Sequence, residues 1–296
     1  MESGGAAYPF RCHKMWGSPL GGPSCPDMDA FRSRAVGRGV RGGLVHERRC
    51  PDSGSADGRG ESNLTHSVET RPMNVTVLAP HPDDEVLGCG GTISRLTADG
   101  HDVSVVFFSG HDITHYDDES DEWITVDNVS DGETACEILG VDDVHSLGYE
   151  MATFNTVPHF EMNKEITELG LEPDLILTPS PHDANWDHEI VHRVALVMGR
   201  PKERQISILR YEILSSTEWG GEGFNPNFFV DISPVLETKL EAMAVYEDEI
   251  REFPHPRSIE SIETTAKRRG AEAGYEAAEA FEIVRAFPEA LPTFDK

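Results

Sequence analysis

Three carboxylates and a histidine crowd into five consecutive positions, His81-Pro82-Asp83-Asp84-Glu85. That density is electrostatically costly unless positive charge sits among them. A divalent metal meets the need. His81 and Asp84, three apart on a tight turn, can converge as one nitrogen and one oxygen ligand of zinc. Asp83 then stands between two ligands, free to take a proton. A plainer reading has the acids cap the following helix and complement its dipole. Capping accounts for one or two carboxylates, not for the histidine and the full run.

A third ligand must come from another segment. His188 closes the stretch Asp183-Ala184-Asn185-Trp186-Asp187-His188. Two histidines and one carboxylate leave zinc an open position for water, as catalytic sites require. The same stretch opens a competing motif, because His188-Glu189-Ile190-Val191-His192 matches the H-E-x-x-H signature of zinc proteases. That reading leaves residues 81–85 without a role, and no G-x-x-H extension follows. It ranks second, and His192 reads as a packing or surface histidine. His182 and Asp183 read as pocket-lining groups or as partners that orient a ligand. His111 and His115 read as members of a polar loop with Asp112, Asp117 and Asp118. Arg257, in Phe253-Pro254-His255-Pro256-Arg257, reads either as a clamp for an anionic group or as an ordinary surface arginine.

The elements that must position these residues alternate. Apolar runs at 75–79, 103–108, 144–147, 174–177, 206–214 and 228–232 read as strands. A Gly-rich turn and then a helix to about 99 are expected after the first strand, with further helices at 130–139, 161–169, 187–198, 234–249 and 258–273, Asp187 as an N-cap and a mixed tail to follow. Strand–helix alternation at this spacing predicts an α/β fold, a mainly parallel sheet covered on both faces. Ligands then gather beyond the carboxyl ends of the strands. Residues 81–85 and 178–188 both fall there. The glycines of Gly88-Cys89-Gly90-Gly91 lack the last glycine of a dinucleotide fingerprint, because Ile93 stands at that place. They read as points of close helix–sheet packing.

Charge divides the chain. The net charge is −28, yet residues 1–72 carry 10 Lys and Arg against 8 Asp and Glu, and the rest 15 against 45. The first segment reads as a disordered leader or as the product of a start site placed too early, with Met73 the true beginning. So acidic a body argues against nucleic acid and anionic membranes as partners. Many carboxylates with few lysines suit a protein that works in high salt, and a halophilic source is expected. Five cysteines without CxxC spacing make a reducing cytoplasm the expected location. No apolar stretch approaches the roughly 20 residues that span a bilayer.

With these residues assembled, a resemblance emerges. Ala79-Pro80-His81-Pro82-Asp83-Asp84-Glu85 followed by Leu87-Gly88-Cys89-Gly90-Gly91-Thr92-Ile93 is similar to the opening motif of the PIG-L (LmbE-like) de-N-acetylase family, and Asp187-His188 with Asp183 and Asn185 resembles its second motif. Tyr211-Glu212, Ser215-Ser216-Thr217, Asn225-Pro226-Asn227, His255-Pro256-Arg257-Ser258 and Ala278-Glu279-Ala280-Phe281 resemble segments of its longer members. The likeness runs from about Asn74 to the end, so residues 73–296 form the expected domain. It implies a Rossmann-like three-layer fold and zinc-dependent removal of acetyl from an N-acetylated amino-sugar conjugate, a small-molecule partner. A non-catalytic sugar-binding relative is the other class, and homo-oligomer formation stays open. The resemblance implies His81, Asp84 and His188 as zinc ligands and Asp83 as general base. Several members carry a histidine three residues before the last ligand, where this chain has Asn185. An amide can donate to an oxyanion but cannot supply a proton, so protonation of the leaving amine falls to Asp83.

Overall fold

The computed structural model describes residues 71–110, 112–117 and 122–294. Nearly all of the expected leader lies outside them, as do His111 and Asp118. Strand β1 (Asn74–Ala79) lies inside a seven-stranded sheet, and from Val75 onward every residue in it is buried. Helix α1 (Asp84–Ala98) leads to β2 (Asp102–Ser109), which pairs parallel to β1. A separate antiparallel pair, β3 (Asp112–Asp117) and β4 (Glu122–Asp127), comes next. The chain continues through α2 (Asn128–Ile138), β5 (Asp143–Tyr149), α3 (His159–Glu168), β6 (Leu175–Pro179), α4 (Trp186–Met198), β7 (Ser207–Tyr211), β8 (Phe228–Asp231), α5 (Leu236–Met243), α6 (Ile259–Ala273) and β9 (Ala278–Arg285). The sheet order is β5-β2-β1-β6-β7-β9-β8. The first five strands are parallel, and β9 runs antiparallel to both β7 and β8.

Side chains alternate across this sheet, as the period of two requires. Val75, Val77 and Ala79 join one core with residues of α1, α2, α5 and α6. Leu78, with Val106 and Ile176 from the neighbouring strands, joins a second core with residues of α3 and α4. The result is the expected three-layer α/β arrangement with a mainly parallel sheet.

Three differences from expectation have physical reasons. The polar loop expected after β2 contains the hairpin β3–β4: its β-branched and aromatic residues favour strands, and the surrounding aspartates masked them. The tail contains β9, whose Ala278-Glu279-Ala280 opening lacks strand propensity and is held by pairing with β8, while the strand from Phe281 onward pairs with β7. Asn185, not Asp187, caps α4, its side chain accepting from the Asp187 amide.

Helix α1 is bent at Cys89, whose backbone (φ −149°, ψ 21°) is not helical. The bend brings glycines against the sheet: a Cβ at Gly88 would enter the Tyr211 ring, and one at Gly91 would lie 2.7 Å from Ile232. Beyond it, the amides of Gly91 and Thr92 donate to the Glu279 carboxylate at 2.9 and 2.7 Å. Lys239 donates to the Leu87 carbonyl at 3.0 Å and to Glu279 at 2.5 Å. The buried charges are thus paired and hydrogen-bonded, as burial demands.

The chain leaves β1 toward β2 on one side and receives β6 on the other. Such a reversal of winding opens a crevice at the carboxyl ends of the strands. Residues 80–84 fill the edge after β1 and residues 180–188 the edge after β6.

Candidate active site

The two edges bring His81, Asp84 and His188 together, all buried, with one ligand-type atom from each lying within 4.8 Å of the others. His81 Nδ1 lies 3.1 Å from Asp84 Oδ2, and His188 Nε2 lies 3.4 Å from the same oxygen. Tetrahedral zinc with nitrogen and oxygen ligands at 2.0–2.1 Å separates them by roughly 3.3 Å. The spacing therefore fits that ion. Asp84 Oδ1 is buried without a hydrogen-bond partner, an expensive state unless a cation shares the site.

Each histidine is held from its far side. His81 Nε2 contacts Asp187 Oδ2 at 3.1 Å, and His188 Nδ1 lies 3.0 Å from Asp183 Oδ1, out of line for a full hydrogen bond. Carboxylates behind imidazoles in this way fix the ring orientation in metal sites. Asp183 is fixed in turn by the hydroxyls of Ser216 and Thr217 and by the Asn185 amide. Burial alone would lower the pKa of His81, but hydrogen bonds to Asp187 and Asp84 outweigh it and raise the value to about 10. Burial would raise Asp84, yet the charges of His188 and His81 bring it down to about 2. The field that holds a proton on this imidazole would equally hold a cation.

Asp83 points elsewhere. Its backbone sits at φ 111°, a region that costs a non-glycine residue about 1–3 kcal/mol. The strain is restrained by Glu85, whose carboxylate accepts from the Asp83 amide at 3.0 Å and from the Tyr246 hydroxyl at 2.5 Å. The Asp83 carboxylate lies 3.2 Å from the Arg257 guanidinium. Burial pushes its pKa well up, Arg257 pulls it down, and Asp84, Glu249 and Glu85 push it up again. Arg257 also pairs with Glu249 and donates to Ser215 at 2.7 Å. Its guanidinium is thus engaged within the chain rather than offered at the surface.

These groups open onto a cavity of about 740 Å³ whose wall includes His81, Asp83, Asn185, His188 and Arg257. Asn185 accepts through Oδ1 as the α4 cap. Its side-chain nitrogen, Nδ2, makes no hydrogen bond among the described residues, whereas its backbone amide donates to Asp183.

His192 stands apart from the triad. Burial and Arg210 lower its pKa to about 4, while a bond to the Pro179 backbone opposes them. Glu189 pairs with Arg193 on the outer face of α4. Of the two histidines in the H-E-x-x-H match, His188 lies against Asp84 at 3.4 Å, while His192 is buried outside the triad. His182 pairs with Glu222 at 2.6 Å instead of serving the triad.

Sequence reasoning missed Asp187 as an orienting group, although its place beside a ligand histidine was a signal. It also missed Glu249 and Tyr246, which reach the site from a distant segment with no local motif.

The chain is similar to several known proteins. A family model described as GlcNAc-PI de-N-acetylase, PIG-L, matches residues 76–198. The diacetylchitobiose deacetylase of Thermococcus kodakarensis is 29% identical over 223 residues, covering 71% of this chain and 82% of that protein. A probable N-acetyl-alpha-D-glucosaminyl L-malate deacetylase 2 of Bacillus cereus is 30% identical over 183 residues, covering 58% and 82%. Among solved structures, the N,N'-diacetylchitobiose deacetylase from Pyrococcus horikoshii superposes with a TM-score of 0.57 at 22% identity, covering 73% of this chain and 84% of that one. At that identity the likeness concerns the fold.

Proposed function

The chain belongs to the PIG-L family, and from that premise we propose that it is a zinc-dependent hydrolase removing the acetyl group from an N-acetylated amino-sugar conjugate. The observation that carries the reading is a carboxylate outside the triad, Asp83, paired with Arg257 on the wall of the cavity that also holds His81 and His188, beside Asp84. Bound to those three residues, a zinc ion would polarise the amide carbonyl and lower the pKa of a water molecule towards about 7.

Asp83 takes the proton of the attacking water and returns it to the departing amine. Its raised pKa suits both halves of that exchange, because a carboxyl poised nearer neutrality gives and accepts more readily. Arg257 keeps it aligned through their ion pair and restrains the rise. Asn185 donates from its amide nitrogen to the oxyanion that forms on the acetyl carbonyl. Asp187 and Asp183 hold the two imidazoles in register.

The test is acetate release from N-acetylglucosamine, its glycosides and N,N'-diacetylchitobiose. A chelator should abolish turnover, and added zinc should restore it. Sugar binding with metal bound but no acetate would establish a binding module without turnover instead.

A further inference from the structure

Glu249 stands on the cavity wall with Asp83 and Arg257, an anion with no part in the proton exchange described above. Its charge works against the base, adding to the repulsion that Asp83 already meets from Asp84 and Glu85. A half-buried carboxylate in that position needs a reason, because burying charge is costly and like charges repel.

The hydrogen bonds of Arg257 supply one. Its Nη1 lies 3.2 Å from Asp83 Oδ2, yet that oxygen accepts no hydrogen bond among the described residues. Nη1 donates instead to Glu249 Oε2, while Nε donates to Ser215 Oγ at 2.7 Å. The guanidinium therefore acts on Asp83 by charge alone. That distinction matters for a group that must take a proton and return it. A guanidinium hydrogen-bonded to a carboxylate makes a strong, directional pair, and its bond must break before the oxygen can accept from water. Charge alone orients the carboxylate and leaves its lone pairs free.

Glu249 is itself held in place. Its Oε1 accepts from Nδ2 of the buried Asn128 at 3.2 Å. Its backbone amide donates to the Tyr246 carbonyl at 3.0 Å, which closes a turn. From the same turn the Tyr246 hydroxyl donates to Glu85 Oε1 at 2.5 Å, and Glu85 Oε2 accepts the Asp83 amide. One turn thus reaches Asp83 from both ends, at its backbone through Glu85 and at its carboxylate through Arg257.

We propose that Glu249 is a positioning residue, which draws the Nη1 hydrogen bond of Arg257 to itself and keeps Asp83 paired by charge yet free to accept a proton. The catalytic consequence rests on the hydrolase reading above, whereas the exchange of hydrogen bonds does not. Without Glu249, the guanidinium turns Nη1 onto Asp83 Oδ2 and locks it.

The test uses the full-length protein loaded with zinc, with acetate release from N,N'-diacetylchitobiose as the assay. Glu249→Ala should lower kcat by about 10–100-fold, the scale of one hydrogen bond between charged groups, with KM and bound zinc little changed. Glu249→Gln should recover most of the rate, because its amide oxygen still accepts from Arg257. In an Arg257→Gln background the contest is gone, so adding Glu249→Ala should lower kcat no further. An unchanged kcat in Glu249→Ala, a loss carried by KM, or the same loss in both backgrounds would overturn the assignment. Glu249→Ser serves the same comparison where the alanine variant does not fold. A crystal structure of Glu249→Ala keeps the two proposals apart. An Arg257 nitrogen about 2.7–2.9 Å from Asp83 Oδ2 supports the assignment even where no acetate is released, an outcome that sinks only the hydrolase reading. A guanidinium left where it stands overturns the assignment.

Discussion

The Asp187 carboxylate touches Nε2 of His81 at 3.1 Å and at the same time accepts the backbone amides of Ala152 and Phe154. One side chain therefore orients a candidate ligand histidine and pins a segment that lines the same cavity.

Replacing it with asparagine keeps the shape but removes the charge and half of the acceptor capacity. Asp187→Asn should weaken zinc binding by about 10–100-fold, the usual cost of losing a carboxylate behind a metal-bound imidazole. Competition with a chromogenic chelator measures it. Unchanged affinity would mean that His81 needs no such support.

Asp83→Asn leaves the three ligands in place. The rate of acetate release should fall by about 10²–10⁴-fold, the scale of general acid–base catalysis, while the bound zinc measured by elemental analysis stays constant. Near-normal turnover would remove Asp83 from the mechanism.

The two histidines of the H-E-x-x-H match should part company. His188→Ala should lose the metal. His192→Ala should retain it, because His192 lies outside the triad. Loss of metal from both would revive the protease reading.

His192 also predicts a pH effect. In the unfolded chain its pKa is 6.5, and in the fold about 4. Above pH 6.5 the ring is neutral in both states and does not affect stability. As the pH falls from 6.5 to 4, the unfolded chain takes a proton that the fold refuses, so stability drops by at most about 1.4 kcal/mol per pH unit. Relative to His192→Gln, the wild-type protein should lose ground across that window and run parallel above it. Denaturant melts of the two proteins at pH 7.5 and pH 5 decide the point.

The net charge of −28 predicts a salt requirement. At molar KCl the screening length shrinks to about 3 Å and self-repulsion among the carboxylates fades. Tm should therefore rise with KCl. A higher Tm in dilute buffer would contradict a halophilic origin.

Much of this was legible along the chain because the parallel strands and the ligand motifs are local features. Val75-Thr76-Val77-Leu78-Ala79 announces a buried strand, and His81 and Asp84 follow it within five residues. His188 was legible because the strand before it sends its loop to the same edge. What stayed hidden depends on contacts remote in sequence. Tyr246 and Glu249 reach Glu85 and Arg257 from beyond α5, and nothing in their own neighbourhood marks them. The hairpin β3–β4 was hidden differently, since its aspartates read as loop while its alternate residues favour a strand. The H-E-x-x-H match ranked second on sequence alone, and the cluster formed by His81, Asp84 and His188 leaves His192 out.

The bend at Cys89 has a consequence for the order of events during synthesis. The second half of α1 takes its final direction by donating to Glu279, and the carbonyl left at Leu87 is taken up by Lys239. Both partners emerge from the ribosome long after the motif that they steady. At about 5–20 residues per second, the roughly 190 residues between Gly91 and Glu279 take on the order of ten seconds or more to appear. A nascent chain thus carries all three candidate metal ligands, the last of them His188, about 90 residues before Glu279 appears to fix the helix beneath them. Activity should arrive as a late step of maturation, gated by the translation of β9.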